Sequence, residues 1–160
     1  MGMRHWLMKT EPDVFSFDDL LRARGRKTAW EGVRNYQARN FMRDDMKVGD
    51  QVFIYHSSCA EPGIVGIAEV VREATPDDSA LDPKSEYYDE KSAKDGKSRW
   101  CVVEVAARER FEGPVTLARL KETKGLEAML VVRRGQRLSI QPVTAEEWKI
   151  VRKLGRLAPV

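Results

Sequence analysis

The apolar residues of this chain come in runs of only a few, such as Val52-Phe53-Ile54-Tyr55 and Met129-Leu130-Val131-Val132. A bilayer-spanning helix needs roughly 20 apolar residues in succession, so no run here qualifies. The chain has 160 residues, 42% of them hydrophobic and 33% charged. That is enough for one domain with a sizeable, well-solvated core, and it excludes a disordered or fibrous chain. The start, Met1-Gly2-Met3-Arg4-His5-Trp6, lacks the apolar stretch of a secretory signal because Lys9 and Glu11 follow at once. A cytoplasmic location is expected, or a nuclear one in a eukaryote, with no membrane partner.

His5 to Lys9 reads as a short strand with Trp6 and Met8 on one side and Leu7 and Lys9 on the other. Ser16 is a good cap for a helix over Phe17 to Arg24, with Asp18 and Asp19 in the first turn and Gly25 beyond its end. A second helix is expected over Tyr36 to Arg43, capped by Asn35. Strands are expected over Gln51 to His56, Ile64 to Arg72, Trp100 to Ala107 and Arg137 to Gln141. Leu117 to Lys121 reads as a helical turn. Thr144 and Glu147 form a capping box for a last helix that buries Trp148 and Val151. Residues 74–98, rich in Pro, Asp, Ser and Lys, read as a long surface excursion anchored only by Tyr87-Tyr88. Helices at the front, middle and end, with strands between them in no regular βαβ order, predict an α+β fold around a curved sheet or barrel.

Charge is patterned rather than extreme. Residues 73–97 carry eight acids against four lysines, whereas residues 133–157 carry seven bases against two acids and residues 1–47 ten against seven. The two basic ends can form one positive face if they meet in space. Only Cys59, Cys101, His5 and His56 offer a thiol or imidazole, at spacings that suggest neither a disulfide framework nor zinc. No metal or cofactor is expected.

Three stretches concentrate groups that can stack or hydrogen-bond. The first ends a strand with Lys9-Thr10. The second, Trp30 to Asn40, combines an indole, Tyr36, two arginines and two asparagines around a helix start, where backbone N–H groups can meet an anion. Trp30 there is either a stacking ring or a core residue. The third closes a strand with Tyr55-His56-Ser57. Neighbours on a strand face opposite ways, so His56 and Ser57 do not make a nucleophile pair by adjacency alone.

These motifs occur in a fixed order: W-L-M-K-T-E-P, then W-x-G-V-R-N-Y-Q-A-R-N-F-M-R, G-D-x-V-x-x-Y-H-S, G-I-x-G-x-A-x-V, Y-Y-D-x-K, R-W and R-L-S-I-Q-P-V. Over roughly His5 to Ile150 the chain resembles the EVE domain, a family that includes thymocyte-nuclear-protein-like sequences. The resemblance implies a PUA-like fold related to the YTH domain, with residues 1–160 as a single domain. It also implies a non-catalytic module that binds DNA or RNA carrying a modified base, of the modified-cytosine or methylated-adenine class. Carried over, the ligand pocket comprises Lys9, Thr10, Trp30, Asn35, Tyr36, Tyr55, His56 and Ser57, with Ser139 and Gln141 as further members. Arg34 and Arg39 are expected to meet the nucleic-acid backbone. Two rival readings are an enzyme acting on nucleotides or RNA with His56 as general base, and a protein-interaction domain using Tyr87, Tyr88 and the charged segment.

Overall fold

The computed structural model describes residues 3–158; residues 1–2 and 159–160, the ends of the expected 1–160 domain, lie outside them. Its centre is a mixed sheet. Strand β1 (His5–Thr10) runs parallel to β3 (Gln51–His56) and antiparallel to β6 (Ile140–Val143). β3 pairs antiparallel with β4 (Gly63–Pro76), and β4 with β5 (Cys101–Thr116). Two short strands, β2 (Lys27–Ala29) and β7 (Leu157–Ala158), pair with separate stretches of β5. The order β2-β5-β4-β3-β1-β6 leaves the sheet open, so of the expected alternatives it is a curved sheet and not a closed barrel. The curvature has a visible cause. The β4–β5 ladder slips register four times, and such bulges bend and twist a strand pair.

Alternation along the strands divides the core in two. Trp6 and Met8 of β1, with Val52 and Ile54 of β3, face one cluster that also holds Phe17, Leu20 and Trp30. Leu7 and Phe53 point the other way, into a cluster with Trp148, Leu120 and Val151. There the Phe53 and Trp148 rings stack with centroids 3.7 Å apart. Each fully buried side chain of this size contributes roughly 1.5–3 kcal/mol. Gly66 lets the first cluster close, since a Cβ there would sit 2.5 Å from the Phe17 ring.

Helix α1 (Phe17–Arg22) carries the Ser16–Asp19 capping box. It stops before the expected Arg24, because Ala23 is already extended at ψ 152°, and a short 3-10 segment follows in which Gly25 takes φ +69°. Helix α2 (Tyr36–Asn40) is capped by the Asn35 side chain and continues as a π turn over Phe41–Asp45. Helices α3 (Glu90–Asp95), α4 (Leu117–Glu122) and α5 (Ala145–Leu154) complete the set, α5 with the expected Thr144–Glu147 box. The last edge strand begins three residues later than predicted. Pairing with β1 starts at Ile140, and Pro142 is tolerated because β6 is an edge.

Residues 74–98 depart most from expectation. They are not a loose excursion: β4 runs on to Pro76, a 3-10 turn spans Asp78–Leu81, and α3 follows. Asp77, Ala80 and Ser92 are all buried within this segment. Polar groups anchor it where hydrophobic counting finds nothing. Among the described residues no helix is long and apolar enough to cross a membrane.

A buried carboxylate also fixes the entry to the sheet. Asp50, 4% exposed, accepts from the Arg4 amide (3.1 Å), Trp6 Nε1 (2.9 Å) and the Lys47 amide (3.0 Å). Asp50→Ala leaves a buried indole N–H and two amides without an acceptor, and a loss of about 3 kcal/mol is expected. Asp50→Asn, which keeps one oxygen, should lose less. Chemical denaturation of both variants measures the difference.

Candidate functional site

Parallel pairing brings the carboxyl ends of β1 and β3 to one place, where the Ser57 amide donates to the Thr10 carbonyl at 3.0 Å. Beside this junction opens a cleft of about 810 Å³. Its walls come from the end of β1, from residues 28–34, from Ser57 and Ser58, from Glu86 and Tyr87, and from residues 136–139. Segments remote in sequence converge there.

Six of the twelve expected site residues line the cleft: Lys9, Thr10, Trp30, Arg34, Ser57 and Ser139. The Lys9 amide donates to the Ser139 carbonyl at 2.9 Å, which joins two of the segments. Its ammonium reaches the Gln136 carbonyl at 3.5 Å and lies 5.8 Å from the Tyr55 ring centre. Partial burial lowers the Lys9 pKa from its ordinary value. Thr10 Oγ1 donates to the Phe15 carbonyl. Trp30 is 8% exposed, its amide donates to the Val103 carbonyl, and Phe15 meets it edge-on at 6.3 Å. It is a core residue that also lines the cleft.

The other six lie elsewhere, for local reasons. Asn35 is occupied as a helix cap, accepting from the Ala38 amide. Tyr36 stands exposed on the outer surface, stacked on Trp100. Strand alternation turns Tyr55 into the second core cluster. His56 lies beside a smaller cavity of about 300 Å³ with Phe17 and Phe111, and its Nε2 accepts from the Phe17 amide at 3.1 Å. Gln141 is buried and donates to the Leu138 carbonyl. Arg39 donates to Asn40 and to the Arg99 carbonyl.

Arg34 is held from several sides. It pairs with Asp77 at 3.0 Å, donates to the Tyr87 carbonyl at 2.7 Å, and lies 5.7 Å from the Tyr87 ring centre. Asp77 in turn accepts from the Gly32 amide and from the Ser79 amide and hydroxyl. Burial alone would raise the Asp77 pKa, but donation by Ser79, Gly32 and Arg34, with the Arg34 charge, leaves it below its ordinary value. The guanidinium expected to meet phosphate is therefore first a strut of the cleft wall.

Tyr87, Phe15 and Arg137 also line the cleft and were not among the expected site residues. The aromatic pair Tyr87-Tyr88 within a polar segment was the available signal for one of them. Across the lining, Lys9, Arg34 and Arg137 are matched by Glu11, Glu31 and Glu86. Such a balance suits a neutral planar ligand with polar edges better than a bare phosphate. Ser58, on the rim, holds φ 53°, a left-handed conformation that carries strain of about 1 kcal/mol for a residue with a Cβ. Among the described residues no group of three or more His, Cys, Asp or Glu side chains is placed to hold a metal ion.

A family model described as the EVE domain matches residues 4–154. A solved protein from Pseudomonas syringae superposes with a TM-score of 0.88 at 49% identity, covering 94% of this chain and 98% of that one. Human THYN1 protein, solved in complex with 5-methylcytosine-containing DNA, superposes with a TM-score of 0.87 at 41% identity, covering 94% and 96%. Thymocyte nuclear protein 1 of Gallus gallus is 42% identical over 97% of this chain and 70% of its own length.

The geometry makes two checkable predictions. A Cβ on Gly32 would sit 2.5 Å from the Tyr87 ring, at φ +84°. Gly32→Ala is expected to cost about 2 kcal/mol or more from overpacking and backbone strain. Part of that loss should return in the Gly32→Ala, Tyr87→Ala double variant, and a double-mutant cycle from denaturation midpoints reads it. The second concerns pH. Burial lowers the pKa of His56 and of His5 below 6.5, so the unfolded chain binds more protons than the folded one. Stability is fully present above pH 6.5 and falls as pH drops towards the lowered folded values. Replacing His56 with Gln, whose amide oxygen can accept from Phe17, should flatten part of that slope in denaturation melts and leave the His5 share.

Proposed function

Because the chain belongs to the EVE domain family, we propose that it is a non-catalytic nucleic-acid-binding module, a single domain that seats a modified base in the cleft beside Trp30. The observation that carries this reading is the cleft itself: one indole wall, a polar strand-end junction and balanced charge in about 810 Å³. The THYN1 complex with 5-methylcytosine-containing DNA supports the choice of ligand class, a 5-substituted cytosine. No cofactor takes part.

In this reading the base leaves its stack and lies against Trp30, with Tyr87 on the facing side. Stacking of this kind contributes roughly 1–3 kcal/mol. The Lys9 ammonium and the Thr10, Ser57 and Ser139 hydroxyls meet its polar edges, while Phe15 and Val14 give a methyl substituent an apolar surface. One buried methyl contributes only about 0.8 kcal/mol, roughly a fourfold preference. Phosphates stay outside, within reach of exposed Arg137 on the rim. His56, the base that an enzymatic reading would use, lies outside this cleft with its Nε2 already accepting a hydrogen bond.

Titration of matched oligonucleotides carrying 5-methylcytosine or cytosine, at two salt concentrations, tests the proposal. Trp30→Ala and Lys9→Met should weaken the modified strand most, Trp30→Ala by about tenfold or more. Arg137→Ala should weaken both strands alike and flatten the salt dependence, because phosphates are the same in each. Mass spectrometry should find every strand unchanged after incubation. Equal losses on both strands from the Trp30 and Lys9 variants, or a chemically altered base, would overturn the reading.

A further inference from the structure

Outside the cleft, on the far side of Arg34, stands an aromatic group that the base-in-cleft reading does not use. Tyr36 is 51% exposed at the start of α2 and stacks on Trp100, with centroids 4.8 Å apart and planes inclined by 27°. Trp100 is nearly buried and locked, its Nε1 donating to Asp89 at 3.0 Å. The Arg39 guanidinium lies 4.8 Å from the Tyr36 ring centre and 6.0 Å from that of Trp100. On opposite faces of Tyr36, Arg39 and Trp100 would stand apart by nearly the sum of the two 4.8 Å spacings. At 6.0 Å they do not sandwich the ring between them, and Tyr36 keeps about half of its surface, 51%, exposed.

The rigid support has a charged rim. Arg39 is fixed by Asn40 and the Arg99 carbonyl, and Arg99 itself sits beside the Tyr36 side chain. Arg34 links this shelf to the cleft, lying 5.5 Å from the Trp100 ring centre while lining the cleft wall. A half-exposed aromatic ring, backed by a second ring and flanked by cations, is the chemistry that holds an unstacked base next to a phosphate, whatever the base's identity.

We propose that Tyr36 is a second stacking step, taking the nucleotide adjacent to the one in the cleft and favouring single-stranded or locally opened nucleic acid. This rests on the base-in-cleft reading and adds a subsite to it. The step is sequence-tolerant, since every base presents a π face, so it adds affinity without selecting the modification.

Two probes separate the subsites: free 5-methyl-2′-deoxycytidine, which can occupy only the cleft, and a single-stranded pentanucleotide with 5-methylcytosine at its centre. Tyr36→Ala should weaken the pentanucleotide about tenfold or more and leave the nucleoside unchanged. Tyr36→Phe, which keeps the ring, should bind both as the parent does. Unchanged pentanucleotide affinity in Tyr36→Ala, or an equal loss on both probes, would overturn the shelf. If the parent binds the pentanucleotide but not the nucleoside, and Trp30→Ala does not weaken the pentanucleotide, the cleft reading fails. The Tyr36 result then still decides the shelf. If the parent binds neither probe, both proposals fall.

Discussion

The carboxylate of Asp77 is the point on which the functional end of this molecule turns. A charge with 1% of its side chain exposed would cost several kcal/mol if left unpaired. Four donations compensate it, from the Gly32 amide, the Arg34 guanidinium, and the Ser79 amide and hydroxyl. They tie the acidic segment after β4 to the strip after β2. Arg34, so placed, grips the Tyr87 carbonyl and sets one wall of the cleft. Gly32 must be glycine for the same wall to close, because any side chain there would enter the Tyr87 ring.

Much of the architecture was legible because it rests on local pattern. Alternation in His5–Lys9 sorts Trp6 and Met8 from Leu7, and the structure divides its two core clusters along that line. Capping chemistry located the starts of α1 and α5. The short strands β2 and β7 escaped notice, since two or three residues carry no period. Residues 74–98 were misread because burial there is polar: Ser92 and Asp77 are interior, yet nothing in their neighbours distinguishes them from solvated loop residues.

The site was legible where a motif ends a strand and hidden where geometry selects between neighbours. Lys9, Thr10 and Ser57 converge because β1 and β3 run parallel and finish together. Tyr55 and His56 belong to the same stretch as Ser57, but Tyr55 packs in the second core cluster and His56, on the opposite face, accepts from the Phe17 amide. Asn35 and Gln141 are expected in the pocket, and their side chains hydrogen-bond inside the fold, to the Ala38 amide and the Leu138 carbonyl. The charge asymmetry between chain segments likewise does not become one positive face in the cleft, where three acids answer three bases. Cations instead gather beside it, at Arg39 and Arg99.

The place of β1 in the sheet has a consequence for how the molecule comes into being. The first of the described strands lies between β3 and β6, and its Leu7 pairs with Gln141, far along the sequence. During synthesis β1 can find β3 early, but its second edge waits until Ile140–Val143 have emerged. Until then the Lys9–Ser139 junction does not exist and an apolar strand edge stays open to other chains. Such non-local closure makes for slow folding. Shortened or stalled chains that end before residue 140 should therefore be sticky rather than partly functional.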